Sequence, residues 1–380
     1  MQAELGVFGK RYDGLKASMT IPEDGLGPAG KNAYRVGLLI PMCGSAGLWA
    51  PSCIASAQVA LHEINRLAGI AGREVEMVMI DAAIEADTPV ETVAHDLIEA
   101  GSIDAIVGMH ISAVRQRLTK VVRGRIPYIY TPLYEGGETS NGVFAIGDTP
   151  AKQLGPALAS LHTRFRLKKW AMIGNDYVWP RVSHEYAKAS IAGLGGSIVY
   201  ERYLPFSAGD LSDQVERIGA SGADGVLVSL VGQDAVDFNR AFGAMDLHKK
   251  IIRLSCAVEE NGLLASGEEN LQRLFSSASY FSALNTPANA NFREQYHSLH
   301  RDRAPVLNSI GQSTYEGFQF LASLLNNHGP DWRTAGRSES SPIVYKSARQ
   351  SIYISNATNT APIYLARANG LVFDEFENIQ

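Results

Sequence analysis

Residues 34–40 read YRVGLLI, a short apolar run of the kind that lies buried inside a parallel sheet. The stretch that follows, SCIASAQVALHEINRL (52–67), places Ile54, Ala57, Leu61 and Ile64 at helical spacing. EVEMVMID (74–81) then alternates through Val75, Met77 and Met79, as a strand does. Together the three segments read as a strand–helix–strand unit, and the chain repeats the pattern outward from there. Val90, Val93 and Leu97 mark a second helix, DAIVG a strand, Val114, Leu118 and Val121 a third helix, and IPYIY a further strand.

The pattern begins again after VFAIGDTP (143–150), which reads as a crossing strand. A helix over 151–165 precedes four more strands, KWAMIG, SIVYERYL, DGVLVSL and KIIRLS, with helices between them. Two successive series of this kind predict an α/β fold of two Rossmann-like lobes with open, mostly parallel sheets. Helices are expected over Ala288–His300 and Gln312–Asn327, and the tail from IVYKSARQ onward reads as strands and hairpins. The expected division is an N-terminal extension, 1–33; a first lobe, 34–147 plus 281–342; and a second lobe, 148–280 plus 343–380.

Composition narrows the function. The chain has 380 residues, 46% of them hydrophobic, enough for two cores. A net charge of −5 with 19% charged residues argues against nucleic acid as a partner. No apolar run reaches the length of a membrane span. Cys43, Cys53 and Cys256 are too sparse for a disulfide framework, and a Cys43–Cys53 bridge stays open. Residues 1–33 lack a basic region followed by an apolar one, so the sequence as it stands carries no secretory signal. It is expected in the cytoplasm, or in the periplasm if an upstream signal is removed.

In open α/β sheets ligands bind beyond the carboxyl ends of the strands. The corresponding loops are 41–51, 108–112 and 130–136 in the first lobe, and 174–180, 229–234 and 255–260 in the second. The candidate ligand-binding residues on them are Ser45, Trp49, His110, Ser112, Tyr130, Thr131, Pro132, Tyr177, Trp179, Ser229, Gly232 and Glu259. Tyr177 and Trp179, two apart in an extended loop, are expected to project to one side as an apolar wall. Trp49 either stacks on a ligand or covers the first helix. Ser112 either holds a ligand oxygen or caps a helix. His110 either titrates near neutral pH or is a satisfied buried imidazole.

Catalytic and metal signatures fail on spacing. GPAGK lacks the glycines and preceding strand of a phosphate loop. HEIN (62–65) lacks a second histidine, and HSLH (297–300) has no acidic partner in register. GQSTYEG carries Tyr315 where a nucleophile elbow needs glycine, so Ser313 reads as a helix cap. Glu259 and Glu260 are adjacent and diverge, against a shared acid–base role. No enzyme, cofactor or metal is expected.

These loops carry a resemblance. RVGLLIPMCGSAG with HEINRLAGIAGREV, YTPLYEGGE, IGNDYVWPR, SLVGQDAVDFNRAF and SSASYFSALNTPANANF occur in the order found in type I periplasmic binding proteins. Within that superfamily they resemble the amide- and urea-binding branch, which includes an amide-sensing regulator of aliphatic amidase expression and urea-binding components of ABC transporters. The resemblance implies two lobes joined by three crossing strands, near Ile146–Thr149, Ser279–Phe281 and Ser341–Val344, closing on a ligand by hinge bending. It places Tyr177 and Trp179 where the amide sensor has two tyrosines, and Ser112, Tyr130–Gly136 and Ser229 at its other ligand loops. His110 stands where the family has tyrosine, and the hydroxyl of the Tyr-Glu-Gly loop has moved to Thr131, with Pro132 in its place. The implied ligand is a short amide, a urea derivative or a related small polar molecule. The alternative is a branched-chain or other amino acid held by Ser112 and an acid (Glu259, Glu260 or Asp234). An ABC permease or a regulatory protein would read the closed form, and a second copy of the chain is a further candidate partner.

Overall fold

In a computed structural model, the described residues are 18–20, 26–30, 32–355 and 358–380. Most of the N-terminal extension therefore lies outside them. Its residues Ser18–Thr20 form β1, paired in parallel with Glu74–Asp81, which is β3.

The first lobe is built on a sheet of order β1-β3-β2-β4-β5-β6, all parallel. Here β2 is Ala33–Ile40, β4 Ala105–Gly108, β5 Tyr128–Tyr130 and β6 Val143–Ala145. Helices α1 (Ala50–Arg66), α2 (Val90–Glu99) and α3 (Ser112–Val122) connect the strands. Pro51 opens α1, where its missing N–H costs nothing.

The second lobe has a sheet of order β15-β14-β11-β10-β9-β7-β8. Its parallel part comprises β7 (Lys169–Asn175), β8 (Ser197–Leu204), β9 (Gly225–Ser229), β10 (Ile252–Ser255) and β11 (Leu274–Ala278). The hairpin β14 (Tyr364–Asn369) and β15 (Val372–Asn378) adds two antiparallel strands at one edge. Helices α4 (Pro150–Phe165), α5 (Val178–Gly193), α6 (Ser212–Ala220), α7 (Gln233–Ala244) and α8 (Glu260–Ser266) flank this sheet. The α/β fold of two mostly parallel lobes is thus as the sequence predicts.

Two further helices return to the first lobe: α9 (Pro287–His300) and α10 (Ser309–His328). Most of α10 is buried, between α1 and the sheet. Gly311 is required there, because a Cβ would overlap the Ser52 hydroxyl of α1. The start of α10 corrects the sequence reading. Asn308 is its cap, accepting from the Gly311 N–H at 2.8 Å, while Ser313 lies one turn inside and donates to the Ile310 carbonyl.

The chain passes between lobes after β6, after β11 and again before β14. The third passage runs later than residues 341–344. Strands β12 (Ile343–Val344) and β13 (Ile352–Tyr353) pair as a ribbon whose Tyr353 ring packs on Phe144 and Phe320 of the first lobe. The return therefore lies beyond Tyr353. No helix among the described residues is long and apolar enough to cross a membrane.

The passages are pinned by a buried arginine. Arg349 donates to Glu316 of α10 through Nη2 at 2.6 Å, and to Ser279 through Nη1 at 2.8 Å; Asp148 lies 3.5 Å from Nη1. Ser279 in turn donates to Asp148. One charged cluster thus ties the first and second passages, and the turn between β12 and β13, to α10.

Candidate functional site

His110 follows β4 and is buried. Its Nδ1 lies 3.2 Å from the Ile111 carbonyl, which can only accept, so the proton sits on Nδ1. Nε2 then accepts the Tyr128 hydroxyl at 3.0 Å. Burial lowers the imidazole pKa to about 3, so His110 does not titrate near neutral pH. The Tyr130 hydroxyl donates to the His110 carbonyl at 2.8 Å, which leaves Ser112 as donor to the Tyr130 oxygen at 3.4 Å. Ser112 is the first residue of α3, and its side chain caps nothing. Tyr130 and Tyr134 are both fully buried, with the Arg115 guanidinium over both rings. Arg115 is itself paired with Glu135 and Glu138. Thr131 directs its hydroxyl to the Gly108 carbonyl at 3.4 Å, and the Ser313 oxygen, whose hydrogen goes to Ile310, lies 3.4 Å from it. The first-lobe half of the site is a linked set of neutral donors and acceptors.

Tyr177 and Trp179 do touch, with ring centroids 6.3 Å apart, but not as an extended loop. Tyr177 is the N-cap of α5 and Trp179 lies in its first turn. Pro180 is the third helical residue, a position whose N–H has no helical partner anyway. Trp179 is buried with its indole nitrogen unpartnered, while Tyr177 is half-buried and packs on Phe206. Ser229 ends β9 and is buried beside Gly174.

The loops of the two lobes meet. Ser45 Oγ lies 3.0 Å from both the Val231 carbonyl and the Asp234 carboxylate. The Trp49 indole donates to Glu259 at 3.2 Å, Asn261 donates to the Leu48 carbonyl, and Ser207 donates to Glu85. Gly232 has φ 56°, and a Cβ there would overlap the Ser45 carbonyl. Glu259 is buried, and burial raises its pKa to about 8. Its neighbour Glu260 turns away and accepts the Ser282 N–H at 2.7 Å.

The structure therefore links His110, Ser112 and Tyr130 in one network, sets Thr131 apart on the Gly108 carbonyl, and joins Ser45 to the Gly232 loop and Trp49 to Glu259. Trp49 covers the start of α1 and reaches across the cleft as well. Pro132 lies with Thr131 on a small cavity. Sequence reasoning missed Asn175, whose carboxamide donates to Asp234 at 2.8 Å, and Glu85, since each acts only through a distant partner. Asp234, read as a possible ammonium partner, is occupied by Ser45, Asn175 and the Ser207 N–H. The three cysteines are free, so Cys43 and Cys53 are not bridged. His300 of HSLH binds the Ala55 carbonyl, and no group of three or more His, Cys, Asp or Glu among the described residues is placed to hold a metal.

A family model described as periplasmic binding protein matches residues 33–371, nearly the whole chain. The chain belongs to the periplasmic binding protein family. Its curated relatives in that family include the Leu/Ile/Val-binding protein homolog 6 of Brucella melitensis, 22% identical over 306 residues, which are 78% of this chain and 77% of the relative. A solute-binding protein of an R. palustris ABC transporter, in complex with 4-hydroxybenzoate, superposes with a TM-score of 0.80 at 18% identity, covering 91% of this chain and 96% of that one. The branched-chain amino acid transporter substrate-binding protein of Streptococcus pneumoniae, in complex with isoleucine, superposes at 0.79 and 14% identity, covering 91% and 99%. At such identities the superpositions speak for the two-lobed binding-protein fold.

Proposed function

We propose that this periplasmic binding protein closes on a small neutral ligand of the amide or urea type, for ABC-type transport or for sensing. The observation that carries the reading is the uncharged character of the polar groups at the cleft. His110 is held neutral, Tyr130 and Ser112 are hydroxyl groups, and Trp179 offers an unpartnered indole N–H. Glu259, with a pKa near 8, stays largely protonated at neutral pH and offers both a donor and an acceptor. The arginines beside the cleft loops, Arg115 and Arg349, are bound by carboxylates. Their charge is thus matched within the protein and not left for a carboxylate ligand. In this reading His110, Ser112, Tyr130 and Thr131 contact the ligand from the first lobe, and Tyr177, Trp179, Ser229 and Glu259 from the second. Ser45, Trp49, Gly232 and Pro132 shape and close the cleft.

Closure removes an amide from water, and each of its polar atoms then needs a partner within the cleft. A permease or a regulatory protein reads the closed form, whose population rises by the ligand's preference for it. The family points to the periplasm as the place of action.

A second reading has one observation in its favour. An ionised Glu259 would be a buried partner for the ammonium of an amino acid, as the branched-chain relatives suggest. The two readings separate in one experiment. Ligand-stripped protein is titrated with acetamide, urea, isoleucine and 4-hydroxybenzoate while tryptophan fluorescence is followed, and the titration is repeated with Trp179→Phe. A saturable response to an amide or urea, altered in the variant, supports the first reading. A response to isoleucine alone transfers the assignment to the second, and a response to 4-hydroxybenzoate alone overturns both.

A further inference from the structure

Where the first two passages meet α10 and Arg349 lies a cavity of about 30 Å³. Its walls include Thr131 and Pro132 from a first-lobe cleft loop and Cys256 from a second-lobe one. A single water needs roughly 10–15 Å³ by this kind of measure, so the space admits a small group of very few heavy atoms.

Two carboxamides line it, Gln153 of α4 and Gln312 of α10, both buried to within 2% exposure. The orientation of each is set by its partner. Gln153 Nε2 donates to the Ser277 carbonyl at 3.1 Å, and Gln312 Nε2 donates to the Glu316 carboxylate. Both partners are pure acceptors, so the nitrogens are assigned and the oxygens face elsewhere. Both oxygens, Gln153 Oε1 and Gln312 Oε1, are buried with no partner. An unmet buried acceptor is costly, and two of them belong to residues lining this one small cavity.

Most donors on the remaining walls are already spent, the Ser309 hydroxyl and the weak Cys256 thiol apart. The hydroxyls of Thr131, Ser279 and Ser313 donate to Gly108, Asp148 and Ile310, and Arg349 is engaged by Glu316, Ser279 and Asp148. The cavity is therefore rich in acceptors and complementary to a group with two hydrogens to give and little need to accept. We propose that it is an inner subsite of the cleft that takes the NH2 end of the ligand, a primary amide or urea nitrogen, with one hydrogen directed to Gln153 Oε1 and the other to Gln312 Oε1. This rests on the amide reading above and deepens it: the class of ligand becomes amides with an unsubstituted nitrogen. A resident water has the same donor chemistry, and the experiment separates the two sources.

The full chain is titrated calorimetrically with acetamide and N,N-dimethylacetamide, then again as Gln312→Met and as Gln153→Met, with the fold of each checked by circular dichroism. The wild type is expected to prefer acetamide by at least about tenfold, the scale of a lost pair of buried hydrogen bonds. In each variant acetamide is expected to weaken by roughly that factor while dimethylacetamide is unchanged or improved. Gln153→Met carries the test by itself if Gln312→Met does not fold, because Gln153 lies outside the Arg349 cluster. If the wild type binds acetamide and the variants keep the preference, or weaken both ligands equally as loss of a resident water would, the subsite is overturned and the amide reading stands. If the wild type binds neither amide, both fall together.

Discussion

The Ser45 hydroxyl lies 3.0 Å from the Asp234 carboxylate, although the residues are 189 positions apart and belong to different lobes. Asp234 is held on its own side by Asn175 at 2.8 Å, so the contact joins a fixed acceptor to the loop that opens α1. It ties the two sides of the cleft together. Ser45→Ala removes it without disturbing either core. Ligand affinity is expected to fall roughly 3–10-fold, the scale of one net hydrogen bond, with the melting temperature of the ligand-free protein little changed. Calorimetric titration alongside thermal melts checks both halves.

Gly232 sets how near the lobes come. Its positive φ already disfavours a side chain, and a Cβ would overlap the Ser45 carbonyl. Gly232→Ala is therefore expected to hold the cleft ajar. Small-angle scattering should show a radius of gyration larger than that of the wild type at saturating ligand. A variant that contracts as fully as the wild type would separate Gly232 from closure.

Glu259 and His110 pull stability in opposite pH directions. The Glu259 carboxyl is raised above its unfolded value, so its stabilising protonated form is fully present below pH 4.5 and is lost as pH rises toward 8. His110 is lowered to about 3, so its contribution is present above pH 6.5 and is lost as pH falls toward 3. Glu259→Gln keeps an acceptor for the Trp49 indole and cannot ionise. Its melting temperature is expected to exceed that of the wild type by a few degrees at pH 8 and to match it near pH 4.5, a shift of about 2–4 °C for each kcal/mol. A constant offset at both pH values would mean that the carboxyl does not titrate in the fold.

How much of this was legible in the sequence follows from range. YRVGLLI, DGVLVSL and their neighbours could be read because a buried parallel strand is a local apolar run, and α1 because its apolar stripe is a local period. The pairing of Tyr177 with Trp179 was legible as two rings beside a proline. Their helical geometry was not, because a proline inside a first turn looks the same in sequence as one that opens the helix. The cap of α10 falls on Ser313 when the helix is started at Gln312; Asn308, four residues earlier, is the local signal that could have found the true start. The contact of Ser45 with Asp234, and the roles of Gln153, Gln312 and Arg349, were not legible at all. Each depends on a partner from another element. A glutamine on a helix looks like a solvated residue until α10 is seen to be buried on nearly every side.

Arg349 and Glu316 give the last expectation. Both are almost fully buried, and the guanidinium also meets Ser279 and Asp148. Removing one member of such a pair leaves a buried charge without its partner, which costs about 3–5 kcal/mol, whereas replacing both by apolar groups of similar size is often neutral. Arg349→Met is therefore expected to lower the melting temperature by roughly 10 °C. The double variant Arg349→Met with Glu316→Leu should recover much of that loss. Asp148 keeps its Ser279 partner in the double variant, so its carboxylate is not stranded. Because the cluster ties two passages to α10, the recovered protein should also close with altered energetics: similar stability, but a changed ligand affinity and a larger radius of gyration in the ligand-free state. A double variant that is stable and binds as the wild type does would show that the cluster serves folding and leaves the hinge untouched.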